Sequence, residues 1–526
     1  MSHAPETSLA RRYSFKLLAN ILNIPIYLLM EAILPRALGT VAYGVYGYAT
    51  GMFQYLMNLL DGGTSTCLFT NLAKRQKEWG LLAFYGIIGA GLLLIILFAS
   101  GIAAMPVVAV NIMPDIPLWV IPLAALWAYL TWGVRTMRGI NDALGQTIPS
   151  EKARMILSLS GLGALLLLYA LGILNLAALF IQQAVFLLAM CLAFIWIVRK
   201  RWQGTRPFPD APARRAYARE FVHYSTPIFM RALVVAFFLM AERWLLQTAQ
   251  GSVEQGYFTL SQKTGVACFL FVSAMTPLLM REFSMAHGRK DLAAMGAMLE
   301  RFAPMFYSVA AYFSVFICLE AETVVRILGG AEFTGAVPAV LIMALYPIHQ
   351  GYGQLTESVY YAASQTRMLR TITIVSALVG FAGAWAVVAP QAWGGLNYGA
   401  GGLALKSVVI QALTVNVSLW CCGRIIPLRL SRLWLHQILA LLFFAAAAAV
   451  PLGLDKAFPG LWTVPSLHLS AVMADIAGLV LRGALYTALV TGGVLLCPWL
   501  VGMTRQELRE LRTRMRGRRG EKTPRG

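Results

Sequence analysis

Fourteen apolar stretches, most of them close to the ~20 residues a helix needs to cross a bilayer, recur along this chain. They lie at roughly 17–35, 42–62, 80–103, 117–134, 155–173, 176–198, 225–246, 257–280, 303–319, 337–362, 371–390, 399–420, 434–452 and 476–501. An ordinary soluble domain carries about 25% charged residues; this one, 526 residues long, carries 13%, with 59% hydrophobic. That balance excludes a soluble fold, and so much apolar surface excludes disorder. The prediction is an all-α polytopic membrane protein of about fourteen transmembrane helices. The first stretch holds Asn20, Asn23 and Glu31 and no small-residue cleavage site, so it reads as a span and not as a removed signal.

The net charge of +20 would suggest nucleic acid in a soluble protein, but in a membrane protein Lys and Arg collect in cytoplasmic loops and fix orientation. With the N-terminus inside, thirty-five of the 43 Lys+Arg fall in inner segments, and only Arg36, Arg326 and Lys456 fall in outer loops. Both termini are therefore expected in the cytoplasm, with no nucleic-acid partner. The outer loops are short, which leaves no room for an outer catalytic domain. No Walker lysine is present, the seven cysteines form no CxxC, and the histidines have no metal spacing. The chain is read as a non-enzyme without metal or cofactor, its cysteines as small buried hydrophobes.

A weak internal repeat is visible. Tyr13-Ser14 and Glu31 match Tyr224-Ser225 and Glu242 at a lag of 211, and Gly39 and Gly44 match Gly251 and Gly256 at 212. Six spans separate the copies, so both run in the same sense, as in two-lobed transporters. The expected division is an N-lobe of six helices (1–198), a basic linker (199–221), a C-lobe of six (222–420), two further helices (421–502) and a basic tail (503–526) that meets anionic lipid. The lobes would enclose a central cavity.

Ionisable groups inside spans are costly and turn away from lipid. Glu31, Asp61, Glu242 and Glu357 are such groups, and they are candidate coupling carboxylates. Helical spacing aligns Asn20, Asn23, Tyr27 and Glu31 in the first span. It aligns Thr50, Gln54, Asn58 and Asp61 in the second, and Gln350, Gln354, Glu357 and Tyr361 in the tenth. These stripes read as the polar walls of a hydrated cavity, with interhelical hydrogen bonding as the competing explanation. In the fourth span Arg135 and Arg138 align near the inner end. Arg231 leads the candidates for an anionic substrate, since a guanidinium matches phosphate geometry; Arg36, Lys263 and Lys406 follow it.

Three blocks carry a family resemblance. Residues 20–75, with LPRALG, YG and DGGTS before KR, resemble the N-terminal part of oligosaccharide flippases of the O-antigen and polysaccharide-exporter type; 256–291 and 357–370 (ESVYYAASQTRMLR) resemble their C-lobe. That family belongs to the multidrug/oligosaccharidyl-lipid/polysaccharide exporter superfamily. The resemblance implies two six-helix lobes and alternating access. It also implies transfer of a polyprenyl-pyrophosphate-linked oligosaccharide between leaflets for O-antigen, lipopolysaccharide or exopolysaccharide synthesis. The expected partners are that lipid-linked oligosaccharide, membrane lipid and polysaccharide-assembly proteins, with the chain itself a monomer. A cation-coupled drug exporter of the same superfamily, or a membrane glycan polymerase or ligase, are the alternatives.

Overall fold

Inside a bilayer every backbone N–H and C=O must find a partner within the chain, and helices meet that demand locally. The computed structural model describes residues 9–75, 78–200, 209–273, 276–458, 461–462, 471–503 and 505–506, and among these there is no strand. The helices are α1 (Leu9–Asp61), α2 (Thr64–Lys74), α3 (Trp79–Ala103), α4 (Pro106–Ile112), α5 (Val120–Ala143), α6 (Thr147–Ala170), α7 (Leu176–Lys200), α8 (Ala211–Ser273) and α9 (Thr276–Gly288). They continue as α10 (Leu292–Leu319), α11 (Ala321–Gly329), α12 (Val337–Met343), α13 (Tyr346–Ala362), α14 (Thr366–Val388), α15 (Gly399–Cys422), α16 (Leu430–Ala457) and α17 (Ala471–Leu496). The middle of the expected linker and most of the basic tail lie outside the described residues.

Every predicted span falls on a helix, but not one to one. Among the described residues ten helices are long and apolar enough to cross a membrane, and an eleventh is formed by a pair bent by 53° within α8. Two reasons separate that count from fourteen. The first is that α1 and α8 are each two helices joined at a kink, so that each holds two of the predicted spans. The second is that α5 ends in a polar turn bearing Arg135, Arg138 and Asp142.

Both long helices break at a glycine. Gly39 has φ 71° and ψ 176°; Gly251 has φ 76° and ψ −172°. That region of backbone space is essentially open to glycine alone. The two breaks are 212 residues apart, the lag of the sequence repeat. At each one the chain turns back on itself. Arg243 and Thr259 lie eight residues either side of Gly251 and are hydrogen-bonded, Nη1 to Oγ1, at 3.2 Å. Just beyond the breaks the two copies meet. A Cβ on Gly44 would lie 1.7 Å from the Ser252 carbonyl oxygen, and one on Gly256 would lie 2.6 Å from that of Thr40. Backbones this close need small residues at the crossing.

The chain forms two compact units. Among the described residues, one comprises those up to Thr259 with Phe381–Ala400; the other comprises those of Leu260–Gly380 and those after Ala400. In the first, α5 lies at the centre, with α1, α3 and α7 packed on it and Ala124, Ala125 and Ala128 fully buried. Tyr46 of α1 packs edge-on against Trp127 and near Phe180, and its hydroxyl donates to Gln183 Oε1 at 3.1 Å. In the second unit, α10 is the spine, and α13 and α16 pack along it around Tyr307, Tyr352 and Phe444. Helix α17 joins through Tyr486, which stacks on Tyr312 and Phe316 with ring centres 5.1 and 5.2 Å away. Arg482 of α17 donates to both carboxylate oxygens of buried Glu320.

Candidate functional site

The densest polar constellation in the first unit gathers where α5 turns into α6. Its geometry follows from the break at Gly39. Asn20 and Asn58 lie nineteen residues on either side of that glycine. Arg135 Nη2 donates to Asn58 Oδ1 at 3.2 Å, and Arg138 Nη2 donates to Asn20 Oδ1 at 3.2 Å. Arg135 and Arg138 are one turn apart on α5 and therefore neighbours on its surface. Both asparagines reach that short patch only because the two arms of α1 run back alongside each other. Gln54 extends the patch by donating to Asn58 Oδ1 at 3.1 Å.

Beneath the patch lies Glu151 of α6, fully buried. Arg138 Nε donates to its Oε1 at 2.6 Å, and Arg154 Nε donates to its Oε2 at 2.8 Å. Arg154 also donates to Asn20 Oδ1 at 3.1 Å. Lys16 pairs with Asp142 beside them. Four cations face two carboxylates, so the cluster keeps a net positive charge of two. A carboxylate clamped by two guanidiniums holds their planes in fixed orientation. Arg135, outside the clamp, is exposed. The arrangement can accept an anion at its cationic edge and hydrogen-bond hydroxyl groups through its amides.

The other predicted site residues distribute as follows. Asp61 caps the start of α2: its carboxylate accepts from Gly63 N, Ser65 N and Oγ, Thr64 Oγ1 and Trp132 Nε1. Asn23 and Thr50 bond the carbonyls of Ala19 and Tyr46 one turn earlier in their own helix. Tyr27 and Arg36 are half-buried, and Glu31 is buried in the same helix. Arg231 is half-buried and Glu242 buried on α8; each of these groups already engages a contact of its own. In the second unit, Gln354 accepts from Thr276 and Tyr361 donates to Glu357 Oε1 at 3.1 Å, while Gln350, Lys263 and Lys406 are half-buried.

Sequence reading passed over Glu151 and Asp142, and it counted Lys16 and Arg154 only as cytoplasmic charge; for Arg154 there was a usable sign. The signal for it was its position three residues after Glu151, on one face of one helix.

The family of polysaccharide biosynthesis proteins matches residues 9–281, just over half of the chain. Among curated proteins none matches. Among solved structures, a lipid II flippase, MurJ, in an inward closed conformation superposes with a TM-score of 0.64 at 13% identity, over 91% of this chain and 99% of that one. An inward-facing multidrug resistance MATE family transporter of the MOP superfamily gives 0.57 at 15% identity, over 80% and 98%. An outward-facing MATE transporter gives 0.53 at 16%, over 80% and 95%. At these identities the likeness is one of fold.

Proposed function

The chain belongs to the polysaccharide biosynthesis protein family, and from that premise we propose that it is a flippase for a polyprenyl-pyrophosphate-linked oligosaccharide. It moves this substrate from the cytoplasmic to the outer leaflet of the bacterial inner membrane by alternating access between two six-helix lobes, 1–198 and 222–420. Both termini lie in the cytoplasm, and the two helices of 421–502 are an addition to the twelve.

The observation that carries the reading is the cationic, amide-lined cluster of Asn20, Asn58, Arg135, Arg138 and Arg154. A net positive charge set among apolar helices is costly unless it meets water or an anion. A lipid-linked glycan supplies both halves of the match: pyrophosphate for the guanidiniums, and sugar hydroxyls for Asn20, Gln54, Asn58, Gln350 and Gln354. Arg231, Arg36, Lys263 and Lys406 are assigned to the anion along the rest of its path. Asp61 is given to helix capping, which leaves Glu31, Glu242 and Glu357 as the carboxylates for ion coupling.

The test is export of lipid-linked glycan in cells with matched protein levels. Arg135→Gln and Arg231→Ala should each abolish most export, Arg231→Lys should keep part of it, and Gln54→Leu and Gln354→Leu should lower it. Wild-type export by every one of these variants would sink the proposal. Normal glycan export combined with lost resistance to a cationic drug would favour the drug-exporter alternative.

A further inference from the structure

A second feature of the first unit faces away from the polar cluster. Helices α3 and α7 flank α5 and leave between them a groove of about 850 Å³, within the range of small-molecule sites. Gly86 of α3, Met137 of α5 and Leu188, Leu192, Ile195 and Arg199 of α7 line it. Its polar atoms are already spent inside the protein. Tyr129 OH donates to the Gly89 carbonyl at 3.1 Å, Trp132 Nε1 to Asp61, and Cys191 Sγ to the Leu130 carbonyl. What the groove offers a ligand is apolar surface and one guanidinium at its end.

Two magnitudes define the occupant. The α7 wall runs from Leu188 to Arg199, eleven residues, or about 16 Å at ~1.5 Å per residue. Half of a ~30 Å hydrocarbon core is about 15 Å. The groove therefore has the depth of one leaflet, with Arg199 at headgroup level. Charge is the second argument. Arg199 and Lys200 are both in the last turn of α7, where the helix end presents only about half a negative charge. Lys200 lies over the Trp196 ring with its ammonium 3.6 Å from the ring centre. Among the described residues no carboxylate pairs with Arg199.

We infer that the α3–α5–α7 groove is a binding site for an anionic phospholipid, its acyl chain along Leu188, Leu192 and Ile195 and its phosphate on Arg199. Under the proposed orientation the lipid belongs to the cytoplasmic leaflet. A polyprenyl chain is several times longer than one leaflet and does not fit a groove of this depth. The site lies apart from the polar cluster and needs no particular transported substrate.

Gly86 gives the test a clean variant, because a Cβ there meets nothing within 4 Å. Gly86→Phe fills the groove from a helical position without disturbing the backbone. Gly91, equally open but outside the groove, gives the control Gly91→Phe. Full-length protein in detergent is titrated with phosphatidylglycerol and with phosphatidylcholine, and bound lipid is counted by native mass spectrometry. The wild type should retain phosphatidylglycerol in preference to phosphatidylcholine. Arg199→Gln should weaken that retention about fivefold, and Gly86→Phe should remove it. Gly91→Phe should leave it unchanged. The inference is overturned if Arg199→Gln and Gly86→Phe both retain phosphatidylglycerol like the wild type. It is equally overturned if a polyprenyl phosphate displaces phosphatidylglycerol from the groove at equal concentration.

Discussion

At the scale of single residues, Glu151 and Arg135 divide structure from function within one cluster. Glu151 is wholly buried between Arg138 and Arg154. Removing its charge leaves two guanidiniums without their anion, a loss of about 3–5 kcal/mol for a buried pair. Glu151→Gln should therefore lower the melting temperature of the purified protein and its level in the membrane; an unchanged melting curve would show that the clamp is dispensable. Arg135 is exposed, and among the described residues it is hydrogen-bonded to Asn58 alone. Arg135→Gln should leave the melting curve in place and reduce export about tenfold, the value of one lost charge-assisted hydrogen bond. Wild-type export by that variant, at matched protein level, would take Arg135 out of the site. Asn20, Asn58 and the Arg135–Arg138 pair were legible in the sequence because helical spacing put them on polar faces. Their mutual contacts were not, because spacing along one helix says nothing about which other helix it meets.

At the scale of elements, the breaks at Gly39 and Gly251 carry a sharper prediction than any apolar stretch. Alanine at either position must hold a backbone conformation that costs about 1–3 kcal/mol. Gly39→Ala and Gly251→Ala should each reduce thermal stability. Gly91→Ala, in open helix surface, should hold or raise it through better helix propensity. Equal melting temperatures across the three variants would mean that the breaks tolerate a side chain. The terminal helices allow a second test. Glu320→Leu takes from Arg482 its bidentate partner and leaves it Thr323 Oγ1 and the more distant Asp455, 3.8 Å from Nη1. It should lose about 3–5 kcal/mol, and the double variant Glu320→Leu/Arg482→Met should regain most of that. If the double variant melts no higher than the single one, the pair is not what anchors α17. The sequence located all of these helices, since twenty-residue apolar runs have few other readings. It also kept apart the two arms of α1 (17–35 and 42–62) and of α8 (225–246 and 257–280), whose breaks fall at Gly39 and Gly251; it did not show how tightly the arms turn, because a glycine's φ and ψ are not written in an apolar run.

At the scale of the whole molecule, orientation is the claim on which the direction of transport depends. With all seven native cysteines replaced, single cysteines at Val110 and Trp393, both exposed, should react with an impermeant label in intact cells. A cysteine at Asp210 should react only after permeabilisation. Labelling at Asp210 from outside would reverse the orientation argued from Lys and Arg. The all-helical membrane class and the long apolar helices were readable from the chain because hydropathy is a local quantity. The two compact units were not, since their boundaries fall within α8, α14 and α15, where no change of composition marks them.

The nineteen residues on each side of Gly39 make α1 a measured length. Inserting one residue anywhere between Asn20 and the break would slide the asparagine about 1.5 Å and swing it roughly 100° around the helix. It would then point away from Arg138 and Arg154. Deleting one residue between the break and Asn58 would do the same to the Arg135 contact. These arms can exchange side chains but cannot change their count, so the chain works there as a ruler.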